Sequence, residues 1–381
     1  MKKLFYLGTL GLILFEIANV YFIMPIPGSQ EMNSISLAYF LHSHQWIFRI
    51  VFVLMILSGL RSSWKRSKIL VLISFALIGV VAYMVNFKMV ADHMFYQPKQ
   101  LTLLNASANK VDNDKLIIGV EYNNEARAYP IQFLGFHHQV RDSIGGRPIM
   151  VTYCTVCRTG RVFEPIVNGK EETFRLVGMD HYNAMFEDKT TKSWWRQENG
   201  EAIAGELKGQ ALPEFPSSQS TLGNWLTLHP NSLIMQPDTS FKSEYDSLAN
   251  YEGGRRTGKL TRRDTLSWQK KSWVAGITVN NTSKAYDWNE LMTKQIINDV
   301  ISAQPVVLFL ATDNKSLFAF KRNSEAQNFS IRNDTLSDGL IQYDLSGRPY
   351  QDSLKNLVPL QVYQEYWHSW KQFHPETLHG E

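Results

Sequence analysis

Three long apolar runs open the chain, and nothing like them follows. Leu4–Met24 is nearly unbroken and stops at Pro25 and Pro27, Trp46–Leu60 extends back through Tyr39–Leu41, and Ile69–Phe87 is the third. A helix needs about 20 apolar residues to cross a hydrocarbon core of ~30 Å, so each run predicts a membrane span. Beyond about residue 90 the pattern changes to short runs of β-branched and aromatic residues bounded by Asn, Gly and Pro. That pattern predicts strands joined by tight turns, with a few short helices. The expected fold is α+β, a β-rich outer region preceded by a three-helix transmembrane anchor.

The outer region repeats itself. Gly119-Val-Glu-Tyr-Asn-Asn-Glu-Ala-Arg-Ala-Tyr129 returns as Gly276-Ile-Thr-Val-Asn-Asn-Thr-Ser-Lys-Ala-Tyr286, and the same spacing aligns Pro148 with Pro305 and Phe163 with Phe320. Further on, Trp225-Leu-Thr-Leu-His-Pro230 matches Trp370-Lys-Gln-Phe-His-Pro375. Ordered matches separated by short insertions or deletions point to two related units. The expected organisation is an anchor at 1–90, a first outer unit at 91–243, a connecting loop at 244–271 and a second outer unit at 272–381. Trp288–Val300 reads as helical, and each unit closes with a Trp-x3-His-Pro helix ended by its proline. His229 and His374 recur at matching positions, which suggests a structural role at a helix end.

Charge changes the picture once it is located. The formal net charge is +4, but residues 1–90 hold eight Lys or Arg against two acids, and the remainder holds 31 basic against 33 acidic residues. The outer region therefore has no basic surplus with which to bind nucleic acid. Lys2 and Lys3 precede the first run, and Arg61, Lys65, Arg66 and Lys68 crowd the loop between the second and third. By the positive-inside rule both places are cytoplasmic, and everything after about Lys88 is extracytoplasmic. The expected location is a bacterial inner (plasma) membrane, with several spans in the lipid bilayer. A cleaved signal peptide is the rival for the first run, but no small-x-small site follows it. Glu16 and Arg49 lie inside the runs, where a cross-helix ion pair is the expected arrangement. The basic run from Arg255 to Arg263 is flanked by acids and reads as a solvated loop.

Both cysteines of the chain lie in Val-Thr-Tyr-Cys154-Thr-Val-Cys157-Arg-Thr-Gly160, and the second unit has Ala311 and Asn314 at the corresponding places. A scaffold that also exists without the pair does not need it merely to fold. A c-type haem requires His after the second Cys, where this chain has Arg158. With Arg161-Val-Phe163 reading as a strand, the pair lies on a knuckle between two strands, as in Cys-x2-Cys metal sites. His137, His138 and His181 are the candidate further ligands, with Met179 and Met185 nearby. Thiolate and imidazole suit zinc, and thioether added to them suits copper. A redox-active thiol pair and an inert disulfide remain open alternatives. Asp142, Asn183, Asp188, Trp194 and Gln197 are candidates for positioning a ligand. No phosphate loop, Ser-His-Asp order or HExxH motif appears, so no nucleotide cofactor is expected.

The run His137-His-Gln-Val-Arg-Asp142, then Cys154-Thr-Val-Cys157, then Asn183, Asp188, Trp194 and Gln197 resembles the bacterial family called domain of unknown function 3179, over about residues 90–378. Members read His-Glu-Ile-Val-Asn-Asp and Cys-Pro-x-Cys-Gly at the first two places. This chain keeps the first His and the Cys spacing, and has Arg158 at the Gly position. The resemblance implies no particular activity. The leading expectation is an extracytoplasmic metal-binding protein. A thiol–disulfide or metal-dependent enzyme, and a structural module for an envelope partner or small ligand, stand beside it.

Overall fold

The computed structural model describes residues 1–351 and 354–380. An N-terminal helical region precedes a mixed, β-rich region. The chain forms two compact units that interleave in sequence. One comprises Met1–Tyr96, Glu172–Arg196 and Glu201–Ala211, and the other Gln97–Glu171, Gln197–Gly200 and Leu212 onward. Residues 172–196 and 201–211 thus join the N-terminal helices rather than the rest of 91–243.

In the first unit, helices over Lys2–Tyr21, Gln45–Arg66 and Lys68–Lys88 are long and apolar enough to cross a membrane. Small residues let them approach closely: a Cβ at Gly59 would overlap the backbone of Phe5. Arg49 donates from Nε and Nη2 to the two oxygens of Glu16, at 2.7 and 2.9 Å, and from Nη2 to Asn86 Oδ1 at 2.7 Å. Asn86 in turn donates to Glu16 at 3.1 Å, so one residue from each helix closes the ring. A fully engaged pair is the arrangement that keeps buried charge tolerable.

A four-stranded antiparallel sheet, Phe174–Asp180, Asn183–Asp188, Trp194–Arg196 and Ala202–Ala204, completes this unit. It docks on the segment between the first two apolar helices. Val177, Met185, Trp194 and Ile203 share a core with Ile23 and Ala38, and Met179 N–H donates to the Ile23 carbonyl at 2.8 Å. Only glycine fits at Gly178, because a Cβ there would strike the Ile23 carbonyl.

The second unit uses one order of elements twice. Leu116–Tyr122, Glu125–Pro130, helix Ile131–His137, Gln139–Ile144 and Arg147–Cys154 are followed by Thr159–Phe163, Ser218–Thr221 and helix Leu222–Leu228. The same order runs through Trp273–Val279, Thr282–Asp287, helix Trp288–Lys294, Ile296–Ile301, Gln304–Leu310, Leu317–Lys321, Val362–Tyr366 and helix Trp367–Phe373. The Asn123-Asn124 and Asn280-Asn281 pairs supply the left-handed turns of the first hairpins, with φ of 53° and 62° and of 49° and 62°. The helix expected through Val300 ends at Lys294, because Gln295 turns left-handed (φ 62°) and the β-branched run after it pairs as a strand.

The expected connecting loop is not solvated throughout. Tyr245 and Tyr251 are buried, and Glu252 accepts from Leu116 N–H at 3.0 Å. The recurring Trp also has a physical reason. Trp225 lies against Gly119 and Trp370 against Gly276, leaving no room for a side chain on either strand. His229 and His374 lie against these indoles, with ring centroids 4.0 and 3.9 Å apart. Gly276→Val should therefore lower stability by about 1–3 kcal/mol, the usual cost of overpacking a closed core. Denaturant unfolding of the full chain in detergent, followed by tryptophan fluorescence, measures it.

Candidate functional site

Cys154 and Thr159 pair across the hairpin Arg147–Cys154 and Thr159–Phe163, so residues 155–158 form the loop at its tip. Arg158 closes that loop in the left-handed region, at φ 59°. Both cysteines are buried thiols. Hydrogen bonds from distant parts of the chain hold the loop's backbone. Tyr251 donates to Thr155 O at 2.9 Å, Tyr366 N–H to Cys157 O at 2.9 Å, and Lys271 Nζ to Val156 O at 2.5 Å. Arg158 stacks on Trp273, 3.8 Å from the ring centroid, and donates to Glu252 O at 3.1 Å.

Two charged or basic groups flank the thiols. Burial pulls the Lys271 ammonium down to about 8, against the opposing pull of Cys157 and Cys154. Burial, reinforced by the Lys271 charge, pulls His368 down to about 3, so its imidazole is neutral. His368 Nε2 lies 3.0 Å from Lys271 Nζ and 3.2 Å from Val156 O. It cannot both accept from the ammonium and donate to the carbonyl, and the closer ammonium makes Nε2 the acceptor. Burial pushes the Cys157 thiol well up, and its contact with Cys154 adds to this. The Ser369 hydroxyl and Lys271 act in the opposite sense.

Behind the hairpin, Arg161 faces two buried carboxylates. Its Nη2 donates to Glu198 at 3.0 Å and to Glu365 at 2.9 Å, and its Nε donates to the Glu198 carbonyl at 2.6 Å. Burial raises Glu365 to about 7, with Arg161 opposing and Glu198 assisting. Glu365 Oε2, Arg161 Nη1, Thr159 Oγ1 and Ser369 Oγ are buried and make no hydrogen bond among the described residues. Ser369 faces both Cys157 and Glu365. The corresponding tip of the second hairpin is a closed polar knot. There Asp313 accepts from Thr221 at 2.8 Å, Asn224 at 2.9 Å and Ser316 at 2.6 Å.

The expected histidines make hydrogen bonds of their own. His137 Nε2 meets the Tyr245 hydroxyl at 2.6 Å, and His138 bonds the Phe136 carbonyl at 3.2 Å and is pulled down to about 4 by burial. His181 belongs to the other unit, where its Nδ1 meets Asp180 at 2.6 Å. Among the described residues no three His, Cys, Asp or Glu side chains are grouped to hold a metal ion. The donor set at the hairpin is two thiols with a cation beside them, which does not fit tetrahedral zinc.

The positioning candidates fall in several places. Asp142 accepts from Tyr129 at 2.7 Å, and Asp299 accepts from Tyr286 at the same distance, so this is a latch used in both halves. Asn183 is buried at the start of its strand. Asp188 accepts from Trp195 Nε1 at 3.0 Å and from Ser193 N–H at 3.0 Å, which fixes a turn. Trp194 lies in the core and donates to Glu187 at 3.1 Å. Gln197 approaches the thiol hairpin, donating to Thr152 Oγ1 at 2.9 Å and Thr159 O at 3.1 Å. Lys271, Glu365, His368 and Ser369 were not anticipated. The one signal for Glu365 was a charge inside the strand-like run Val-Tyr-Gln-Glu-Tyr-Trp.

Glu365 gives the site a pH signature. Its folded value of about 7 lies above the ordinary glutamate value of about 4.3, so across that window the native state holds a proton that the unfolded chain has lost. Its contribution to stability is greatest below the window and falls as pH rises through it. Glu365→Gln should remove that decline, read by comparing denaturation midpoints of the two proteins at about pH 5 and about pH 7.5.

A family model described as "Protein of unknown function (DUF3179)" matches residues 96–377. No curated protein and no solved structure matches the chain.

Proposed function

Since the chain belongs to the DUF3179 family of proteins of unknown function, we propose a role for it as a membrane-anchored, extracytoplasmic protein that binds a soft monovalent cation, copper(I), between Cys154 and Cys157. The three apolar helices cross a bacterial inner membrane with the N-terminus and the Arg61–Lys68 loop in the cytoplasm, as their basic residues favour. The outer domain arose by duplication. Its recurring element order supports this, as does the contact of Gln219 with Gln364, matching residues of the two halves, at 2.6 Å.

The observation that carries the proposal is Lys271 at the tip of the one hairpin that has cysteines. Two thiolates around a monovalent cation leave one negative charge, and the half-buried Lys271 ammonium beside them balances it. Soft thiolate ligands select copper(I), for which two suffice. Burial of both sulfurs disfavours thiol–disulfide exchange with another protein, which needs an exposed thiolate.

Anaerobic titration of the full chain in detergent with copper(I), against a chromophoric chelator, provides the test. One equivalent should bind, Cys154→Ser should abolish it, and His137→Ala should leave it unchanged. Lys271→Met should weaken it by roughly tenfold, about 1.4 kcal/mol. Absence of binding, or binding indifferent to Cys154→Ser, overturns the proposal. A disulfide formed without metal would favour the thiol–disulfide enzyme instead. A functionally silent double Cys→Ser variant would favour the structural envelope module.

A further inference from the structure

A second site lies in the unit of the apolar helices, around a histidine whose backbone is strained. His181 and Tyr182 make the two-residue turn between Phe174–Asp180 and Asn183–Asp188, and both are left-handed, at φ 50° and 69°. Such turns favour Asn and Gly. This chain uses them at Asn123-Asn124, Gly145-Gly146, Asn168-Gly169 and Asn280-Asn281, with Asn333-Asp334 close to the same rule and Ser302-Ala303 a further exception. A His-Tyr pair here costs backbone energy, and strain of this kind concentrates where a side chain has a task.

The surroundings fix the imidazole. Asp180 is buried and accepts from His181 Nδ1 at 2.6 Å, while its other oxygen accepts from Arg196 Nε at 2.8 Å. Burial would raise the Asp180 carboxyl, but the His181 hydrogen bond and the Arg196 charge outweigh it, and the group stays ionised. Tyr182 N–H donates to Gln30 Oε1 at 3.1 Å, which clamps the turn to the segment after the first helix. In the neutral ring, an Nδ1–H given to Asp180 makes Nε2 the lone-pair acceptor.

That ring lines an open pocket of about 600 Å³, its solvent-filled mouth included, together with Arg196, Glu201 and Lys208. Ile35 and Ile203 supply an apolar wall. The formal charges cancel, with Asp180 and Glu201 against Lys208 and against Arg196, which donates to both carboxylates, so neither a simple anion nor a simple cation is favoured. A ligand carrying both signs is favoured, one whose cationic end has N–H donors for Nε2.

We propose that this pocket binds a phosphate group joined to a primary ammonium, the ammonium toward Glu201 and His181 Nε2 and the phosphate toward Lys208. Asn33, Ile35 and Ser36, which form one wall, lie between the first two apolar helices. If those helices cross the membrane as proposed above, the pocket opens at the height of lipid headgroups. Phosphatidylethanolamine and a free phosphoamine share this chemistry.

The test uses the full chain in a phosphate-free detergent, titrated calorimetrically with phosphoethanolamine and with phosphocholine. Phosphoethanolamine should bind saturably, and phosphocholine, which has no N–H donor, at least about tenfold more weakly. His181→Asn keeps a residue suited to the left-handed turn but removes the imidazole, and should weaken phosphoethanolamine by about tenfold, with a cooperative unfolding transition showing that the variant is folded. Equal binding of the two ligands, no binding of either, or full binding by His181→Asn overturns the proposal. Carbethoxylation of His181 in nanodiscs separates the sources. Protection by phosphatidylethanolamine over phosphatidylcholine assigns the lipid, and equal rates alongside soluble binding assign the free phosphoamine. Neither readout involves Cys154 or copper, so the two proposals fail separately.

Discussion

One guanidinium ties together three pieces of chain that lie far apart in sequence. Arg161 sits on the strand after the thiol loop, Glu198 in a short segment between the two stretches given to the other unit, and Glu365 on a strand of the second half. None of the three is more than slightly exposed. A single buried cation facing two carboxylates leaves one acid undercompensated, and that acid is Glu365, next to the thiols through Ser369. Removing the arginine would strand both acids, which usually costs about 3–5 kcal/mol. The thiol loop, the neighbouring Lys271 and the strand Val362–Tyr366 all depend on this anchor for their relative placement.

The two hairpin tips show how one scaffold carries two solutions. Around Asp313 short side chains and the backbone N–H groups of Lys315 and Ser316 close a hydrogen-bond cluster. Around Cys154 and Cys157 the partners are a lysine, a neutral histidine and a serine, and several polar atoms lack hydrogen bonds among the described residues. Buried groups without partners are costly. The second tip is therefore a stability element, and the first has given up that closure. Arg158 takes the left-handed position of the loop with a large side chain, and its stacking on Trp273 and Tyr251 offsets part of the backbone cost.

Much of the fold was legible because its signals are local. The apolar runs announce three helices by length alone, and the Asn-Asn pairs mark hairpins whose φ angles they satisfy. The helix read through Val300 failed in its second half because Gln295 ends it without a glycine. The segment 244–271 looked solvated because its composition is polar, yet Tyr245, Tyr251 and Glu252 turn inward. The thiol site was half legible. Spacing located the cysteines, but Lys271 and His368 reach them from over a hundred residues away, and nothing local marks such a partner. The histidines near the cysteines in sequence are the natural candidates, and each also bonds a partner of its own, Tyr245, Phe136 or Asp180.

The sheet that completes the first unit begins at Phe174, long after the segment on which it docks. During synthesis at roughly 5–20 residues per second, Ile23 and Ala38 wait of order ten seconds before Val177 and Trp194 arrive to cover them. The helical region must therefore emerge and persist with an uncovered apolar patch. The other unit must hold its own first strands in readiness while this sheet is threaded out and back. Assembly of the two units is consequently a nested process, in which neither can be finished before the other has begun.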